Sequence, residues 1–286
     1  RWQPFPDDDV RRFAVDGDLL VVGTRDGGVV GIDLSKREER WRYGGTDFQT
    51  AVRVGSGAVV FGEDRADGGA VVCLDRADGS ERWRVETDER VSNVSAPAAG
   101  VVLFGKNGGP NLEVHDLESG ARRWRHEEFH PAMAPVAADD TAYVASTDAV
   151  VAYDVANGDV RWAASVPERA ERFDAFSART APVLRDGRLH VPVVDGGVLA
   201  LDANAGERAW FYEVPDTEYG VVAVDGDAAW YADEVAVHRV DARTGDGGLV
   251  GYLERDANGL NDFAVADGTV FVAPTSTAVK AFDVVD

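Results

Sequence analysis

Residues 74–83 read LDRADGSERW, and variants of this segment return along the whole chain. The shared pattern is an apolar residue, Asp, three variable residues, Gly, three further residues and Trp. Full copies of it begin at Leu74, His115, Tyr153 and Leu201. A unit that recurs in this way predicts a repeat architecture, in which neighbouring units bury each other's large apolar side chains.

Three further copies depart from the pattern. The copy at Ile32 has Arg37 where Gly is expected, and the copy at Val240 has Leu249 at the Trp position. A partial copy, FDVVD, fills residues 282–286. With these included, the repeat Asp falls at positions 33, 75, 116, 154, 202, 241 and 283, so the period is close to that of one propeller blade. The sequence therefore predicts an all-β fold, a single seven-bladed β-propeller of four-stranded blades.

Asp-Gly pairs between apolar runs predict hairpins inside the units. They stand at 16–17, 186–187, 225–226 and 267–268, and Asp-Gly favours the type I′ turn because both central residues need a positive φ. The Asp-x-x-x-Gly segment predicts a second turn, since Asp can accept hydrogen bonds from the backbone ahead of it and Gly tolerates left-handed geometry. Each unit then reads as four short strands.

The two ends of the sequence predict how the ring closes. The last copy lacks a Trp strand, whereas the sequence opens with an unassigned RWQPF. If Trp2 supplies the outer strand of the last blade, no sheet is left with an unpaired edge. We therefore expect one domain over residues 1–286, with blades ending near Trp41, Trp83, Trp124, Trp162, Trp210 and Leu249, and with Trp2 closing the last blade.

On these residues the chain resembles the PQQ-type β-propeller repeat, the family of BamB-like proteins and of quinoprotein dehydrogenases. The resemblance covers essentially the whole chain and implies that each Trp docks between blades; seven blades would depart from the usual eight. WD40 propellers are a poorer match, because no Trp-Asp dipeptide occurs in the sequence. Since one fold carries many activities, two function classes follow: a non-catalytic binding scaffold, or a PQQ- and Ca²⁺-dependent sugar or alcohol dehydrogenase.

Cysteine content favours the scaffold. The resemblance implies that a dehydrogenase would stack PQQ on a disulfide of adjacent cysteines and hold Ca²⁺ with Glu, Asn and Asp, whereas Cys73 is the only cysteine here. Its apolar neighbours predict a buried core thiol. Calcium-loop-like stretches at 64–68 and 202–206 are better read as repeat turns, and His126 and His130 flank Pro131 without metal-ligand spacing. We expect no catalytic residue, metal or bound cofactor.

The charge excludes several partners. Acidic residues outnumber basic ones by 51 to 29, for a net charge of −22, and the surface should repel nucleic acid and anionic lipid. Scarce Lys beside abundant Asp resembles proteins of extremely halophilic archaea, so we expect folding to need high salt. No apolar run is long enough to span a bilayer.

The start of the sequence bears on where the protein acts. It begins at Arg1, and the only Met is Met133, which leaves a processed secretory signal, a lipoprotein anchor or a trimmed start as explanations. An extracytoplasmic or cell-surface location is slightly favoured over a cytoplasmic one. Neither the partner nor the oligomeric state follows from these residues, although a monomer is favoured.

Binding of a protein, a peptide or a small ligand is expected at the mouth of the central channel, where the loops that join each outer strand to the next inner strand gather, because binding sites favour loops on a rigid scaffold. The longest of them, PERAERFDAFSAR at 167–179, combines Arg with Phe. That mixture fits recognition of an anionic or extended peptide partner; a solvated insertion whose Arg residues answer neighbouring acids is the alternative. The candidate contact residues are Gln49, Asn93, His130, Arg172, Phe173, Phe176, Arg179, Tyr219 and Asn261.

Overall fold

The computed structural model of the chain is built from β-strands. It describes residues 10–24, 28–44, 48–65, 67–106, 112–127, 131, 133–146, 149–165, 181–193, 197–214, 220–233, 235–253, 260–266, 269–274 and 280–283. In this part of the chain the strands form six four-stranded sheets and one three-stranded sheet, each in simple chain order. No helix in it is long and apolar enough to cross a membrane. The all-β prediction is confirmed.

The sheets are numbered along the chain. Sheet 1 contains β1 (Val10–Asp16), β2 (Leu19–Thr24), β3 (Val29–Asp33) and β4 (Glu38–Tyr43). Sheet 2 contains β5 (Phe48–Gly55), β6 (Ala58–Arg65), β7 (Gly68–Asp75) and β8 (Glu81–Thr87). Sheet 3 contains β9 (Val91–Val94), β10 (Val101–Lys106), β11 (Leu112–Asp116) and β12 (Arg122–His126). Sheets 4 and 5 contain β13 (Val136–Ala138), β14 (Thr141–Ala145), β15 (Ala149–Asp154), β16 (Val160–Ser165); and β17 (Val183–Arg185), β18 (Arg188–Val193), β19 (Gly197–Asp202), β20 (Arg208–Glu213). Sheets 6 and 7 contain β21 (Val221–Asp225), β22 (Ala228–Ala232), β23 (Ala236–Asp241), β24 (Gly247–Tyr252); and β25 (Leu260–Ala266), β26 (Thr269–Pro274), β27 (Lys280–Asp283).

The residues group into two compact units. The first comprises Arg1–Ala142 with Tyr153–Asp159, and the second comprises Tyr143–Ala152 with Val160–Asp286. Sheets 1 to 3 belong to the first unit and sheets 5 to 7 to the second, while sheet 4 contributes residues to both. The contacts described below lie within one unit or the other.

The turns between first and second strands use two backbone patterns. At Asp186–Gly187 both central residues have positive φ, 48° and 72°, so the type I′ turn expected there is confirmed. In sheets 1 and 6 the predicted Asp-Gly turn is wrong by one residue: the strands run through Asp16 and Asp225, and the central pairs are Gly17–Asp18 and Gly226–Asp227. Only the glycine of each pair has a positive φ, which is the pattern of a type II′ turn with Gly first.

The turn between third and fourth strands is closed by the repeat Asp, as the sequence predicts. Asp202 accepts at Oδ1 from the backbone N–H groups of Asn204 and Ala205, both at 2.9 Å, and its carbonyl accepts from the N–H of Gly206 at 2.8 Å. Gly206 has a φ of +71°, in the left-handed region that favours glycine. The backbone N–H two residues ahead donates in the same way to Oδ1 of Asp33, Asp75, Asp116, Asp154 and Asp241.

An arginine seven residues after the repeat Asp braces this turn in the first three sheets. Register shifts leave Arg40, Arg82 and Arg123 unpaired as bulges in their fourth strands. Each donates to the second carboxylate oxygen of its repeat Asp, at 2.8, 2.6 and 2.8 Å. The bond from Arg123 is the main reason that the pKa of Asp116 lies well below its usual range. Arg82 also reaches the first turn of its sheet, where it donates to the carbonyl of Gly57 at 2.8 Å.

Each repeat Trp packs on the turn of the next sheet. The indole N–H of Trp41 donates to the carbonyl of Arg76 at 3.0 Å, and that of Trp83 to the carbonyl of Leu117 at 2.8 Å. In both cases the acceptor is the residue directly after the repeat Asp. A Cβ on Gly120 would stand 2.8 Å from the Trp83 ring, so this close approach, together with a φ of +69°, requires glycine there. The other three bonds, at 2.9 to 3.1 Å, join Trp124 to Val155, Trp162 to Ala203 and Trp210 to Ala242.

Apolar side chains complete the interfaces between neighbouring sheets. One cluster joins sheets 1 and 2 around Trp41 and Phe61, and another joins sheets 5 and 6 around Trp210 and Tyr231. Burying a large apolar side chain contributes about 1.5–3 kcal/mol, so the sheets in each of these two pairs stabilise one another. This is the interdependence that a repeat architecture predicts.

Two predicted features fall outside the described residues. They are the closing strand around Trp2 and the Asp-Gly turn at 267–268. At the exceptional first copy, Arg37 takes a left-handed φ of 60°, so the backbone keeps the turn although the glycine is absent.

Candidate binding face

Three of the predicted contact residues lie at the start of a first strand. Gln49 is the second residue of β5, Asn93 the third of β9 and Asn261 the second of β25. In each sheet this end of the first strand follows the loop that enters from the preceding sheet. Gln49 stands opposite Glu63, and Asn93 opposite Gly105, near the ends of the second strands. The backbone therefore puts all three at the loop end of their sheets.

Asn93 is the predicted residue whose side chain the structure describes. Its Nδ2 donates to the carbonyl of Pro131 at 3.2 Å, so it links β9 to the loop between sheets 3 and 4. Met133 and Ala134, two and three residues further along that loop, are buried. This hydrogen bond fixes the position of the loop. The side-chain oxygen of Asn93 has two lone pairs with which it can accept hydrogen bonds.

The remaining predicted contacts lie outside the described residues. They are His130, Arg172, Phe173, Phe176, Arg179 and Tyr219. The Arg and Phe residues of the 167–179 loop are among them, so the peptide-binding role of that loop stays a prediction.

A buried carboxylate oxygen without a partner lies in the loop that leads into sheet 3. Oε2 of Glu89 is buried and accepts no hydrogen bond within the described part of the chain. The loop is held by the Thr87 hydroxyl, which donates to the Glu89 carbonyl at 2.7 Å. A buried acceptor left unpaired costs about 1–3 kcal/mol, so a donor supplied by a bound molecule would be stabilised there. The sequence shows only a run of charges, DER at 88–90, and reasoning from it missed this residue.

Charged side chains near the loop end of sheet 2 are paired with one another. The fully buried carboxylate of Glu63 is met by both terminal nitrogens of Arg84, at 2.5 and 3.2 Å, and by Arg65 at 2.9 Å. Glu63 is the main reason that the pKa of Arg84 is raised. Tyr43 of sheet 1 accepts from Arg84 at 2.8 Å and donates to Glu81. These groups join two sheets, which is a structural role.

The described residues offer binding groups and no assembled set of reacting groups. Within them no cluster of three or more His, Cys, Asp or Glu side chains is placed to hold a metal ion. Burial raises the pKa of the Cys73 thiol to about 11, so the thiolate that nucleophilic chemistry needs is disfavoured. The buried core thiol predicted for Cys73 is confirmed.

Comparison with known proteins identifies the repeat. Residues 44–247 match the model of the family described as outer membrane protein assembly factor BamB. The chain belongs to the BamB family. This confirms the PQQ-type repeat that the Asp-x-x-x-Gly-x-x-x-Trp copies resemble, and it agrees with the six four-stranded antiparallel sheets and with a β-propeller fold.

Individual BamB proteins are distant relatives. The outer membrane protein assembly factor BamB of Burkholderia pseudomallei is 26% identical over 258 residues, covering 83% of this chain and 61% of its own length. The chain thus spans about three fifths of that relative. The serine/threonine-protein kinase AfsK of Streptomyces coelicolor is 30% identical over 129 residues, which are 43% of this chain and 16% of the kinase.

Solved structures agree on the fold. The crystal structure of BamB from Moraxella catarrhalis is 19% identical, with a TM-score of 0.67, and the match covers 95% of this chain and 84% of that one. The computationally designed Ika8 protein matches with a TM-score of 0.74 at 16% identity, over 97% of this chain and 84% of its own. At these identities the likeness supports the β-propeller architecture alone.

Proposed function

We propose that the chain is a non-catalytic scaffold, a seven-bladed propeller closed by a strand around Trp2, that binds a protein or peptide partner outside the cytoplasm. Membership in a family described as an outer membrane protein assembly factor is the observation that carries this proposal. The binding groups at the loop ends, and the buried thiol of Cys73, support binding over catalysis.

The two ends of the sheets support a division of roles. At the turn ends, hydrogen bonds within the chain already occupy the groups of the repeat: Asp75 caps its own turn, and the carbonyl of Arg76 accepts from Trp41. At the loop ends, the Glu89 oxygen has no partner among the described residues and Asn93 retains acceptor capacity. Binding groups of this kind on a rigid support suit recognition of another molecule.

The proposed contact surface is the set of loop-end residues named from the sequence. Gln49, Asn93 and Asn261 would supply amides, and Tyr219 and His130 further polar contacts. Arg172, Phe173, Phe176 and Arg179 of the 167–179 loop would supply aromatic contact and paired charge, because Arg and aromatic residues are enriched where interfaces bind most strongly. A carboxylate-bearing extended segment is the partner that this chemistry fits, with the scaffold itself monomeric.

Site-specific photo-crosslinking tests the proposal. A photoreactive residue at Phe176 should give defined protein adducts in cells, whereas the same residue at Ala77, exposed in a turn of sheet 2, should give none. Replacing Arg179 by Ala in the Phe176 probe should remove the adducts without changing the thermal melt. Equal adducts from both probes, or adducts that persist without Arg179, would contradict a loop-end site.

Titration with PQQ separates the scaffold from the dehydrogenase alternative. The protein is mixed with PQQ, with and without Ca²⁺, in molar KCl, and absorbance and melting temperature are followed. We expect neither the absorbance nor the melting temperature to change, because the scaffold binds no PQQ. A ligand that binds the folded state would raise the melting temperature by mass action. A Ca²⁺-dependent rise would instead support a quinoprotein dehydrogenase.

A further inference from the structure

Exposed apolar side chains gather at the outer edge of sheet 6. Seven large apolar residues are exposed among the described ones, and four of these seven belong to this edge: Val235 at 42%, Leu249 at 46%, Val250 at 43% and Tyr252 at 75%. The N–H of Leu253 donates to the carbonyl of Val235 at 2.7 Å, which places the β22–β23 turn beside the end of β24. Single exposed apolar residues need no explanation, whereas a group of them marks an interaction surface.

The strand that carries this group is an edge without charge. β24 is last in the order β21-β22-β23-β24, so one side of its backbone pairs with β23, and no strand in the described part of the chain pairs with the other side. It reads GGLVGY, whereas the other fourth strands, EERWRY, ERWRVET, RRWRH, VRWAAS and RAWFYE, each carry at least one charged residue. Charged side chains are the usual protection against pairing with a foreign strand. β24 lacks that protection.

A displaced bulge explains why Leu249 is not buried like the repeat Trp. In sheet 2 the bulged residue is Arg82, directly before Trp83, and Trp83 stands opposite Cys73. In sheet 6 the bulge falls at Val250, directly after the Trp position, and Leu249 stands opposite His238. Residues directly opposite each other share a face of the sheet. The shift therefore turns Leu249 away from the face on which a repeat Trp would pack.

Charge selects the partner for this edge. A second copy of the chain would bring another net charge of −22 against the first, which opposes edge-to-edge pairing of two copies. A cationic segment is attracted by the same field, and its backbone can extend the sheet while alternate apolar side chains contact Leu249 and Tyr252. We propose that β24 binds an extended, cationic segment of a partner protein as an added strand. This surface goes beyond the proposed loop-end site and does not depend on it.

Three synthetic peptides of about twelve residues test the edge, because strand addition needs alternation and free backbone N–H groups. One alternates Lys and Val, one alternates Glu and Val, and one is the Lys-Val peptide with a central Pro, which removes a donor. Binding is measured by fluorescence anisotropy in the lowest KCl concentration that preserves the circular dichroism of the fold. The Lys-Val peptide should bind at least about tenfold more tightly than either of the others. Equal binding of the Pro peptide would overturn strand addition.

Substitutions in β24 separate the edge from general charge attraction. Leu249→Lys and Leu249→Glu should both weaken the Lys-Val peptide by about tenfold or more, since each puts a charge on the edge. Val160→Lys is the matched control, because Val160 is also exposed on a fourth strand, β16, and the change should leave binding within about twofold. If Leu249→Glu strengthened binding, simple charge attraction would replace the proposal. Tyr252→Lys gives a second variant should Leu249→Lys lower the melt.

Size-exclusion chromatography with light scattering tests whether a second copy of the chain occupies the β24 edge. The wild-type chain should run as a monomer at all concentrations that can be reached. A concentration-dependent dimer that Leu249→Lys abolishes would assign the edge to a second copy of the chain and overturn the cationic partner.

Discussion

Sheets 2 and 6 share the four-strand repeat but differ in how their fourth strands are held. In sheet 2, Trp83 donates to the Leu117 carbonyl of the next turn, and Arg82 is paired with Asp75 of its own turn. In sheet 6, Gly248 and Leu249 occupy the corresponding positions, and Leu249 is nearly half exposed. The repeat Asp of sheet 6, Asp241, still accepts from the backbone of its turn, at 2.9 and 2.8 Å.

The comparison separates two structural roles within one repeat, namely shaping the turn and joining one sheet to the next. The Asp and Gly shape the turn by contacts inside the repeat, because the turn of sheet 6 keeps its geometry without the bracing Arg, although Trp210 of sheet 5 still packs on it. The Trp joins one sheet to the next, and the Arg braces a turn and fills the bulge before the Trp. Where both are lost, the bulge moves and the outer strand is left as an apolar edge. A repeat can thus keep its fold while one copy gains a new surface.

Substitution of Gly120 should give the largest effect on the Trp contact. Gly120→Ala places a Cβ against the Trp83 ring at a positive φ, and we expect unfolding free energy to fall by about 3 kcal/mol. Gly187→Ala has a similar φ, +72°, with nothing within 4 Å of the added Cβ, so it should cost about 1 kcal/mol from strain alone. Gly44→Ala, with neither feature, should change it by less than about 0.5 kcal/mol. Denaturant unfolding in KCl measures the unfolding free energy of the three variants and tests this order.

Equal losses for Gly120→Ala and Gly187→Ala would mean that the Trp83 ring adds nothing to the cost of backbone strain. The comparison between sheets 2 and 6 would then rest on the Arg82–Asp75 brace alone.

Exchange at the Trp position itself should give the next largest effect. Trp83→Phe leaves the Leu117 carbonyl without its indole donor and removes buried volume, which should cost about 2 kcal/mol. Leu249→Ala removes a side chain that is nearly half exposed, and the cost should stay below about 0.5 kcal/mol. Chemical denaturation of both variants checks the contrast. Similar losses would show that Leu249 packs as a repeat Trp does.

The turn geometry could be predicted from the sequence because its chemistry is local. Asp202 and Gly206 lie four residues apart and form their contacts with each other and with the residues between them. The same locality explains the error at Asp16 and Asp225. The sequence Asp-Gly-Asp permits a turn on either pair, and only the strand register, which depends on the partner strand, selects Gly17–Asp18.

The features near the candidate surfaces depended on distant residues and could not be predicted in the same way. Asn93 was expected near the loop end from its place after an outer strand, but its bond to Pro131 joins residues 38 positions apart. The Glu89 oxygen is notable only because folding buries it. The sequence shows that Leu249 replaces the repeat Trp. Its exposure could not be predicted, because it follows from the position of a bulge that the pairing of β24 with β23 determines.

A pH-dependent effect, the smallest of the three, should distinguish the turn of sheet 6 from that of sheet 2. The Ala242 carbonyl in the sheet 6 turn faces both the Trp210 indole, at 3.1 Å, and Nε2 of the buried His190, at 3.3 Å. Burial lowers the pKa of His190, so the folded state favours the neutral ring. Its contribution to stability is therefore complete above the unfolded pKa of about 6.5 and is lost as pH falls through the folded value.

His190→Gln removes this titration, so the decline in unfolding free energy between about pH 7 and pH 5 should become shallower than in the wild type. Burial also lowers the pKa of His238, which accepts or donates at 2.9 Å with the Tyr212 hydroxyl, so part of the decline should remain. The double variant with His238→Gln should be flatter still. In sheet 2 the equivalent carbonyl, that of Arg76, accepts only from Trp41 among the described contacts, so no histidine titrates there. If His190→Gln kept the pH dependence of the wild type, the acid sensitivity could not be assigned to the turn of sheet 6.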